Sequence, residues 1–423
     1  MAPLPPKTAV RVVPTSKKPG QASQTGSFRE VDTRAMWHSL PPPARGVQAS
    51  VIIPAKDEAT NLPATLAALA AQTDLHGQVL LPHSFEVLVL ANNCLDQTAR
   101  VVREFAARHP RLRLHVAEIK LPKAQAHVGQ ARRLLMDEAC RRLEQGGHPR
   151  AFIASTDADT RVSPTWLISI AAELATGVDA VGGRILMDNA DPTCPVRRCQ
   201  LRDAAYYLLR ARLEDHLDPT PYDPWPRHHQ HFGANLALTA RAYRHVGGLP
   251  VVPYLEDEAL VQSLVRHDLR VRHSPTVKVF TSGRQQGRVA VGLSWQLRQW
   301  AELQQTQREP LVDNPQRLLA EWQLRAQLRQ TWQQYSSAAT SGALLPLPSW
   351  PAAAGLSRAA LRRELARASS FGQLWEKIRG RFLVHTTRRW PAVPLSVAIR
   401  MLREQVAALD SRPSAAVAGR LCT

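Results

Sequence analysis

Two carboxylates stand two positions apart in STDADT (155–160), directly after the short apolar run AFIAS (151–155). If this run is a strand, Asp157 and Asp159 point to the same side, because side chains at i and i+2 share a face. Two like charges in one pocket repel each other unless a cation lies between them. Mg²⁺ and Mn²⁺ prefer such oxygen ligands. The pattern predicts a divalent-metal site, although Asp-x-Asp alone is also common in solvated turns and helix caps.

A second acidic segment, YLEDEAL (254–260), follows the Gly-Gly turn of GGLP (247–250). Acidic side chains at the first turn of a helix are favoured by the helix dipole, whatever their function. Transfer of a group to a hydroxyl, however, requires a carboxylate that takes the hydroxyl proton. No Ser-His-Asp or Cys-His arrangement competes for a catalytic role. The segment predicts Asp257 as a general base, with Glu256 beside it to support the helix start or to bind the acceptor.

Arginines follow small residues in two further segments. Arg132 and Arg133 lie in GQARRLLM (129–136), and Arg284 follows a predicted strand that ends at Thr281. Guanidinium groups, hydroxyl groups and backbone amides together suit a phosphate. These arginines are therefore candidates for contact with a diphosphate, although a surface position on a helix explains Arg132 and Arg133 equally well.

The elements that must position these residues alternate between strands and helices over residues 49–190. Buried strands are predicted at Ala49–Pro54, Phe85–Ala91, Leu112–Ala117, Ala151–Ser155 and Ala180–Met187, with helices at 61–72, 96–108 and 128–143 between them. This alternation indicates βαβ units and the α/β class, with a mostly parallel sheet flanked by helices. Ligands of such sheets bind outside the carboxyl ends of the strands. Most of the candidate residues stand directly after strands.

The order of these motifs resembles the family 2 glycosyltransferases, which have the GT-A fold and belong to the nucleotide-diphospho-sugar transferase superfamily. The resemblance covers about residues 49–300 and rests on VIIPAKDEATNL (51–62), LANNCLDQTA (90–99), STDADT, HFGANLALT (231–239), GGLP and YLEDEAL. It departs from the family at Asn92 and Asn93, which stand where an acid pair is usual. It implies a GT-A-type mixed, mostly parallel sheet, a nucleotide-sugar donor and a Mg²⁺ or Mn²⁺ cofactor.

The resemblance also implies roles for individual residues. The donor-binding residues it suggests are Pro54, Ala55, Asp57, Glu58, Asn92, Asn93, Asp157, Arg132 and Arg284. The metal ligands are Asp157 and Asp159, the catalytic pair is Asp257 and Glu256, and the acceptor-side residues are His231, Gly233 and Asn235. A zinc site at His228, His229 and His231 is a weaker alternative, because adjacent loop residues point in different directions. The acceptor itself is not readable from the sequence.

The formal net charge is +19. Residues 1–48 carry seven Lys and Arg against two acids, and residues 310–423 carry sixteen against six. Basic ends favour contact with an anionic surface such as a membrane, with nucleic acid or with a phosphorylated substrate, although a coding bias toward Arg would have the same effect. Few aromatic residues interleave with the basic ones, so nucleic-acid binding by base stacking is disfavoured.

Three regions follow from composition. We predict a flexible basic tail at residues 1–48, which lack apolar periodicity and are ordered at most near Met36–Leu40. The GT-A glycosyltransferase domain is predicted at residues 49–300. A helical C-terminal region is predicted at residues 301–423, with a linker at 341–355. Five scattered cysteines and the absence of a leader or a spanning apolar run favour a cytoplasmic protein.

We therefore expect an inverting hexosyltransferase-type enzyme that moves a sugar from a nucleoside diphosphate to an acceptor hydroxyl. Two alternatives remain open. A retaining sugar transferase or a nucleotidyltransferase would use the same fold and a similar Asp-x-Asp site. A basic nucleic-acid-binding protein would carry the same acids only as caps and turns, and would bind in a salt-dependent manner.

Overall fold

The computed structural model describes residues 36–37, 40–188, 194–283, 291–341 and 355–411. Its strands are β1 (Ala49–Ala55), β2 (Phe85–Asn92), β3 (Leu114–Ile119), β4 (Phe152–Ser155), β5 (Thr160–Val162), β6 (Ala180–Met187), β7 (Leu236–Thr239), β8 (Val271–Thr281), β9 (Leu311–Val312) and β10 (Val393–Pro394). Its helices are α1 (Leu62–Ala70), α2 (Thr98–Arg108), α3 (Val128–Gly146), α4 (Trp166–Ala175), α5 (Pro195–Leu217), α6 (Ala240–His245), α7 (Glu256–Arg266), α8 (Leu293–Gln305), α9 (Pro315–Ser341), α10 (Arg358–Arg367), α11 (Phe371–Thr386) and α12 (Leu395–Asp410).

Eight strands form one sheet in the order β3-β2-β1-β4-β7-β6-β8-β5. β1 pairs in parallel with β2 and β4, β2 with β3, and β6 with β8. β7 runs antiparallel between β4 and β6, and β5 runs antiparallel along β8. The predicted α/β class and the mixed, mostly parallel sheet are confirmed.

The sheet is covered by helices on both faces, and its central strands are predominantly apolar for that reason. Ile52 and Leu88 face one side, where Leu135 of α3 covers them. Val51 faces the other side, where Leu66 of α1 packs. Every residue of β2 is buried. The carboxyl ends of β1, β2 and β4 are therefore held rigidly at one edge of the sheet.

The C-terminal region is helical, as predicted, and it packs onto the sheet domain through α5. Tyr206 and Leu213 of α5 share a core with Trp322 of α9 and Leu402 of α12. A second core joins α9, α10 and α11. The sequence analysis did not identify α5 because its buried side chains face these distant helices rather than the sheet. The predicted linker at 341–355 lies almost wholly outside the described residues.

The described structure begins within the segment assigned to the basic tail. Trp37 is 4% exposed and belongs to the same core cluster as Val47 and Leu143. Met36, Leu40 and Ala44 pack against the same cluster, so the folded part starts upstream of Ala49. Among the described helices, none combines the length and the apolarity required to cross a bilayer.

Candidate active site

A cleft of about 3900 Å³ opens at the carboxyl edge of β1, β2 and β4 and extends between α5, α7 and the C-terminal helices. The sequence-predicted site residues that line it are Pro54, Ala55, Glu58, Asn92, Arg132, Asp157, Asp159, His231, Gly233, Glu256 and Asp257. Asp57, Asn93 and Asn235 do not line it, and Arg284 lies outside the described residues. The cleft thus brings together residues that are up to two hundred positions apart in sequence.

Asp157 and Asp159 lie at the floor of this cleft, in the turn between β4 and β5 rather than on a strand. Ser282 Oγ donates a 3.2 Å hydrogen bond to Asp159 Oδ2. The pKa of Asp157 is raised to about 6, mainly because the carboxyl group is buried. The positive charge of Arg132 lowers this pKa, and the negative charges of Asp159 and Asp257 raise it further. The side chain of Asp157 is still 40% exposed, so its carboxyl group is recessed in the floor yet open to the cleft. The mutual repulsion of these acids is what a cation would relieve.

Arg132 of α3 connects the floor of the cleft to α7. Its Nη2 donates a 2.8 Å hydrogen bond to Asp157 Oδ1, and its Nη1 contacts Glu256 Oε1. Arg132 and Glu256 are 3% and 2% exposed, so this is a buried ion pair. The expectation that Arg132 binds a diphosphate is therefore revised, because two carboxylates already hold its guanidinium group. Its neighbour Arg133 instead donates to the backbone oxygens of Gly247 and Leu249.

Asp257 is held in the cleft by two backbone amides. Gly233 N donates to Oδ2 at 2.7 Å, and Glu258 N donates to Oδ1 at 2.8 Å. Gly233 also lies directly against Arg132: a Cβ at this position would be 2.4 Å from Arg132 Cζ. A glycine is therefore required where the loop before β7 passes between the buried arginine and Asp257.

Three sequence-predicted site residues have structural roles instead. Asp57 accepts the amide of Leu95 at 2.6 Å, and Asn93 exchanges hydrogen bonds with the backbone of Leu121. Asn235 is 1% exposed, accepts from Trp166 Nε1 at 2.8 Å and donates to backbone oxygens of β6 and β8. Each side chain is engaged within the protein. These internal contacts could not be predicted from the sequence, because a position after a strand does not determine the direction of a loop side chain.

The loops after β1 and β2 are joined by a small polar cluster. Ligand atoms of Asp57, Cys94 and Asp96 lie within 4.8 Å of one another, which is the only grouping of this kind within the described ranges. Asp96 accepts the amides of Ala59 and Thr98, so that it anchors the start of α2, although the N-cap position itself is Gln97. Asn61 similarly occupies the N-cap of α1 but bonds Glu58 rather than the helix. Because both carboxylates of this cluster accept hydrogen bonds from backbone amides, the cluster connects the loop after β1 to the loop after β2.

Asn92 carries a buried hydrogen-bond acceptor at the edge of the cleft. It is 4% exposed, and its Oδ1 has no hydrogen-bond partner among the described residues. It lines the cleft at the end of β2, close in the sheet to Pro54 and Ala55 of β1. A buried polar atom of this kind costs free energy until a ligand satisfies it.

The histidines of the loop at 228–231 do not converge on a common point. His228 Nε2 bonds Ser274 O, and the ring of His229 stacks on Tyr207 with centroids 4.1 Å apart. His231 instead bonds Glu258 and His273. The sequence analysis did not single out Glu258, His273 or Asp223, because only the fold brings them to His231.

Comparison with known proteins gives one family match. Residues 50–221 match the model of glycosyl transferase family 2. Comparison with curated proteins gives no match.

Several solved structures are similar at low identity. S. aureus TarS 1-349 in complex with UDP-GlcNAc is 16% identical, with 81% of this chain and 91% of that chain covered and a TM-score of 0.42. The mannosyltransferase PcManGT from Pyrobaculum calidifontis, in complex with GDP-Man and Mn²⁺, is 16% identical, with coverage of 89% and 91% and a TM-score of 0.41. GalNAc-T7 with UDP, GalNAc and Mn²⁺ is 12% identical, with coverage of 80% and 58% and a TM-score of 0.43.

The matched residues 50–221 span β1 through α5 and include Asn92, Arg132 and the acidic pair at the cleft floor. The sheet order and the helices on both faces agree with the GT-A type that the sequence predicted. Residues 50–221 thus form a domain that matches glycosyl transferase family 2 within a sheet of GT-A type, and the chain is a glycosyltransferase.

Proposed function

We propose that the protein is an inverting, metal-assisted glycosyltransferase that uses Asp257 as its base and a nucleoside diphosphate sugar as its donor. The observation that carries this proposal is the placement of Asp257 in the same cleft as Asp157 and Asp159, with Arg132 and Glu256 between them. An inverting transfer needs both a charge-neutralising site for the leaving diphosphate and a carboxylate at the acceptor hydroxyl.

The hydrogen bonds of Asp257 suit a proton acceptor. Each carboxylate oxygen can accept two hydrogen bonds, and Gly233 N and Glu258 N occupy one position on each oxygen. One position per oxygen is left for the acceptor hydroxyl. The two amides also fix the carboxylate plane, so the proton of the hydroxyl would move to an oxygen whose direction is already set.

The donor set at the cleft floor fits a divalent cation. Asp157 and Asp159 supply hard oxygen ligands that line the cleft, and burial, with the charge of Asp159 adding to it, raises the pKa of Asp157. Mg²⁺ or Mn²⁺ would be held by these two carboxylates, with phosphate oxygens and water completing the shell. When bound, the cation would act as a Lewis acid toward the diphosphate. Arg132, already paired with Asp157, would orient that carboxylate rather than contact the phosphate itself.

The nucleobase end of the donor is assigned to Asn92 and its neighbours Pro54 and Ala55. The free Oδ1 of Asn92 would accept a hydrogen bond from an N–H of the base. Glu58, which is 5% exposed, lines the same end of the cleft. The acceptor end is assigned to the loop with His231 and Gly233. Phe232 and Tyr254, 38% and 46% exposed, flank it and offer apolar faces to a sugar ring.

The test is a screen of UDP-, GDP- and TDP-sugars for thermal stabilisation that depends on Mn²⁺ or Mg²⁺. The sugar that stabilises is then used for donor hydrolysis or transfer, and NMR determines the anomer of the product. An inverted anomer supports the proposal. A retained anomer assigns the retaining reaction instead, and release of pyrophosphate from a nucleoside triphosphate assigns nucleotidyl transfer. No stabilisation by any sugar nucleotide would overturn the donor assignment.

A further inference from the structure

Four side chains beside Asp257 form one continuous hydrogen-bonded chain. Glu258 Oε2 lies 2.8 Å from His231 Nε2, and His231 Nδ1 lies 3.0 Å from His273 Nε2. His273 Nδ1 in turn lies 2.8 Å from Asp223 Oδ2. The chain thus runs from α7 through the loop before β7 to β8 and ends at the buried Asp223, which is 3% exposed.

Both ends of this chain are held as carboxylates. Asp223 also accepts from the His273 amide at 2.8 Å and from Arg227 and Arg272, each at 3.1 Å. Burial acts to raise its pKa, but the bond and charge of His273 outweigh burial, so the pKa is lowered. Burial likewise acts to raise the pKa of Glu258, but the bond and charge of His231 lower it to about 2.

Counting protons along the chain fixes its charge. An ionised carboxylate can only accept a hydrogen bond, so each end requires an N–H from the adjacent ring. The central contact between the two rings requires one further N–H. Three protons on two imidazole rings leave one ring neutral and one ring as an imidazolium. With only two protons, one of the three contacts would place two lone pairs against each other.

The chain is tied to the proposed base at two points. Glu258 is the residue after Asp257 and donates its own amide to Asp257 Oδ1. His231 is two residues before Gly233, whose amide bonds Asp257 Oδ2. Both amides that orient the base therefore belong to segments that the chain joins. In addition, the first turn of α7 carries three acids in a row, so a single positive charge at His231 offsets part of their repulsion.

We propose that His231 and His273 share one imidazolium charge and act together as a positioning pair, aligning the two amides that hold Asp257. This inference rests on the proposed role of Asp257. The other titratable and charged groups that face the pair are Asp257, His228, His229, Arg184, Arg210, Arg227 and Arg272. As His228 and His229 have lowered pKa values because of burial, they face the pair as neutral rings at neutral pH.

The sign of the pH dependence follows from His231. Burial acts to lower its pKa, but the hydrogen bond to Glu258 and the surrounding carboxylates outweigh burial and raise it. The alignment is therefore complete below this raised pKa and is lost as the pH rises through it. The activity of the wild-type enzyme should fall on the alkaline side for this reason.

The first experiment measures the wild-type protein and uses variants only to assign resonances. Histidine-selective ¹⁵N NMR of the full chain reports the protonation of each ring, with resonances assigned by His231→Gln and His273→Gln. At pH 7.5 we expect three N–H protons on the rings of His231 and His273 together, whereas two neutral rings would carry two. Two fully neutral rings, or two independently titrating imidazolium groups, would overturn the inference while leaving Asp257 as the base.

The second experiment is the pH profile of kcat/KM for donor hydrolysis or transfer. His231→Gln should lower kcat by roughly tenfold or more with little change in donor KM, and should remove the alkaline fall. His245→Gln changes a histidine outside the chain and serves as the matched control. An unchanged alkaline limb in His231→Gln would overturn the inference. A fully active Asp257→Asn enzyme would instead overturn the proposed function, so the two failures are distinguishable.

Discussion

The backbone amide of Gly233 donates a 2.7 Å hydrogen bond to Oδ2 of Asp257, and it joins the loop before β7 to the first turn of α7. The donor is a backbone amide, so position 233 needs no side chain for this contact, whereas the acceptor is the side-chain carboxylate of Asp257. Because the same glycine lies against the buried Arg132, the approach of the loop to α7 is set by packing as well as by the hydrogen bond.

Asp257→Asn should separate catalysis from binding. The amide retains the size and shape of the carboxylate but does not serve as a base at neutral pH. Donor affinity should remain near that of the wild type, while turnover falls by about 10² or more. Calorimetric donor binding and single-turnover transfer check this. Wild-type turnover in Asp257→Asn would remove the base assignment.

Glu256→Gln should mainly reduce stability. It removes the charge that faces Arg132 in a contact where both residues are at most 3% exposed. Breaking one partner of a buried ion pair typically costs about 3–5 kcal/mol. Denaturant unfolding measures the loss. The pair of Arg161 and Asp188, whose side chains are 52% and 28% exposed, supplies the control: Asp188→Asn should cost about 1 kcal/mol or less. Equal losses in both variants would contradict the buried pair.

Asp159→Ala should abolish metal-dependent binding of a nucleoside diphosphate while the fold survives, and Asp157→Ala should weaken it more mildly. Both carboxylates face the cleft, but Asp157 is also bonded to Arg132. Isothermal calorimetry with and without Mn²⁺ measures the effect, with Asp188→Asn as an acid outside the cleft. Unchanged Mn²⁺-dependent affinity in both alanine variants would refute the metal site.

Gly233→Ala should inactivate the enzyme although it adds only one methyl group. That methyl would lie 2.4 Å from Arg132 Cζ, so the arginine and both its carboxylate partners would have to shift. Gly380→Ala is the matched control, since a Cβ there has no neighbour within 4 Å, and alanine is the better helix former. For Gly380→Ala we expect near-wild-type turnover and an unchanged or slightly higher melting temperature. Gly233→Ala should show neither.

Glu309 gives a pH-dependent prediction for the attachment of α12. Hydrogen bonds from Ser396 lower its pKa to about 2, with Arg202 adding to this. A carboxylate whose pKa is lower in the folded state stabilises the fold at any pH above its unfolded-state pKa of roughly 4.3. This stabilisation is lost as the pH falls toward 2. Since the side chain is 35% exposed, Glu309→Gln should cost only about 1 kcal/mol at pH 7.

The difference in unfolding free energy between wild type and Glu309→Gln should narrow between pH 5 and pH 3. Glu404→Gln, on the exposed side of α12, should show no such dependence. A difference that stays constant over this range would mean that the Glu309 carboxylate does not hold α12.

The sequence predicted the parallel half of the sheet well because β1, β2 and β4 are buried on both faces and most of their residues are apolar. It missed α5, whose partners lie in the C-terminal helices. It assigned residues 1–48 to a tail with order at most near Met36–Leu40, and Trp37 within that stretch belongs to the core. Trp37→Ala should therefore lower the free energy of unfolding by about 3–5 kcal/mol.

Residues that line the cleft were predictable where they stand at the end of a strand, as for Asn92. The direction of a side chain was not predictable where tertiary contacts set it. Asn235 turns inward to Trp166, and Arg132 is buried between Asp157 and Glu256, which come from other parts of the sequence. The partners of His231 come from α7 and β8, so no local pattern could have joined them.

The packing of α11 against α7 constrains the order in which the active site is completed during synthesis. A Cβ at Gly372 would be 1.9 Å from Val265 O, so the two helices touch backbone to backbone. Asp257, however, leaves the ribosome more than one hundred residues before Gly372. During that interval α7 lacks the helix that packs against it. The contact between α7 and α11 can therefore form only in chains whose translation has passed Gly372.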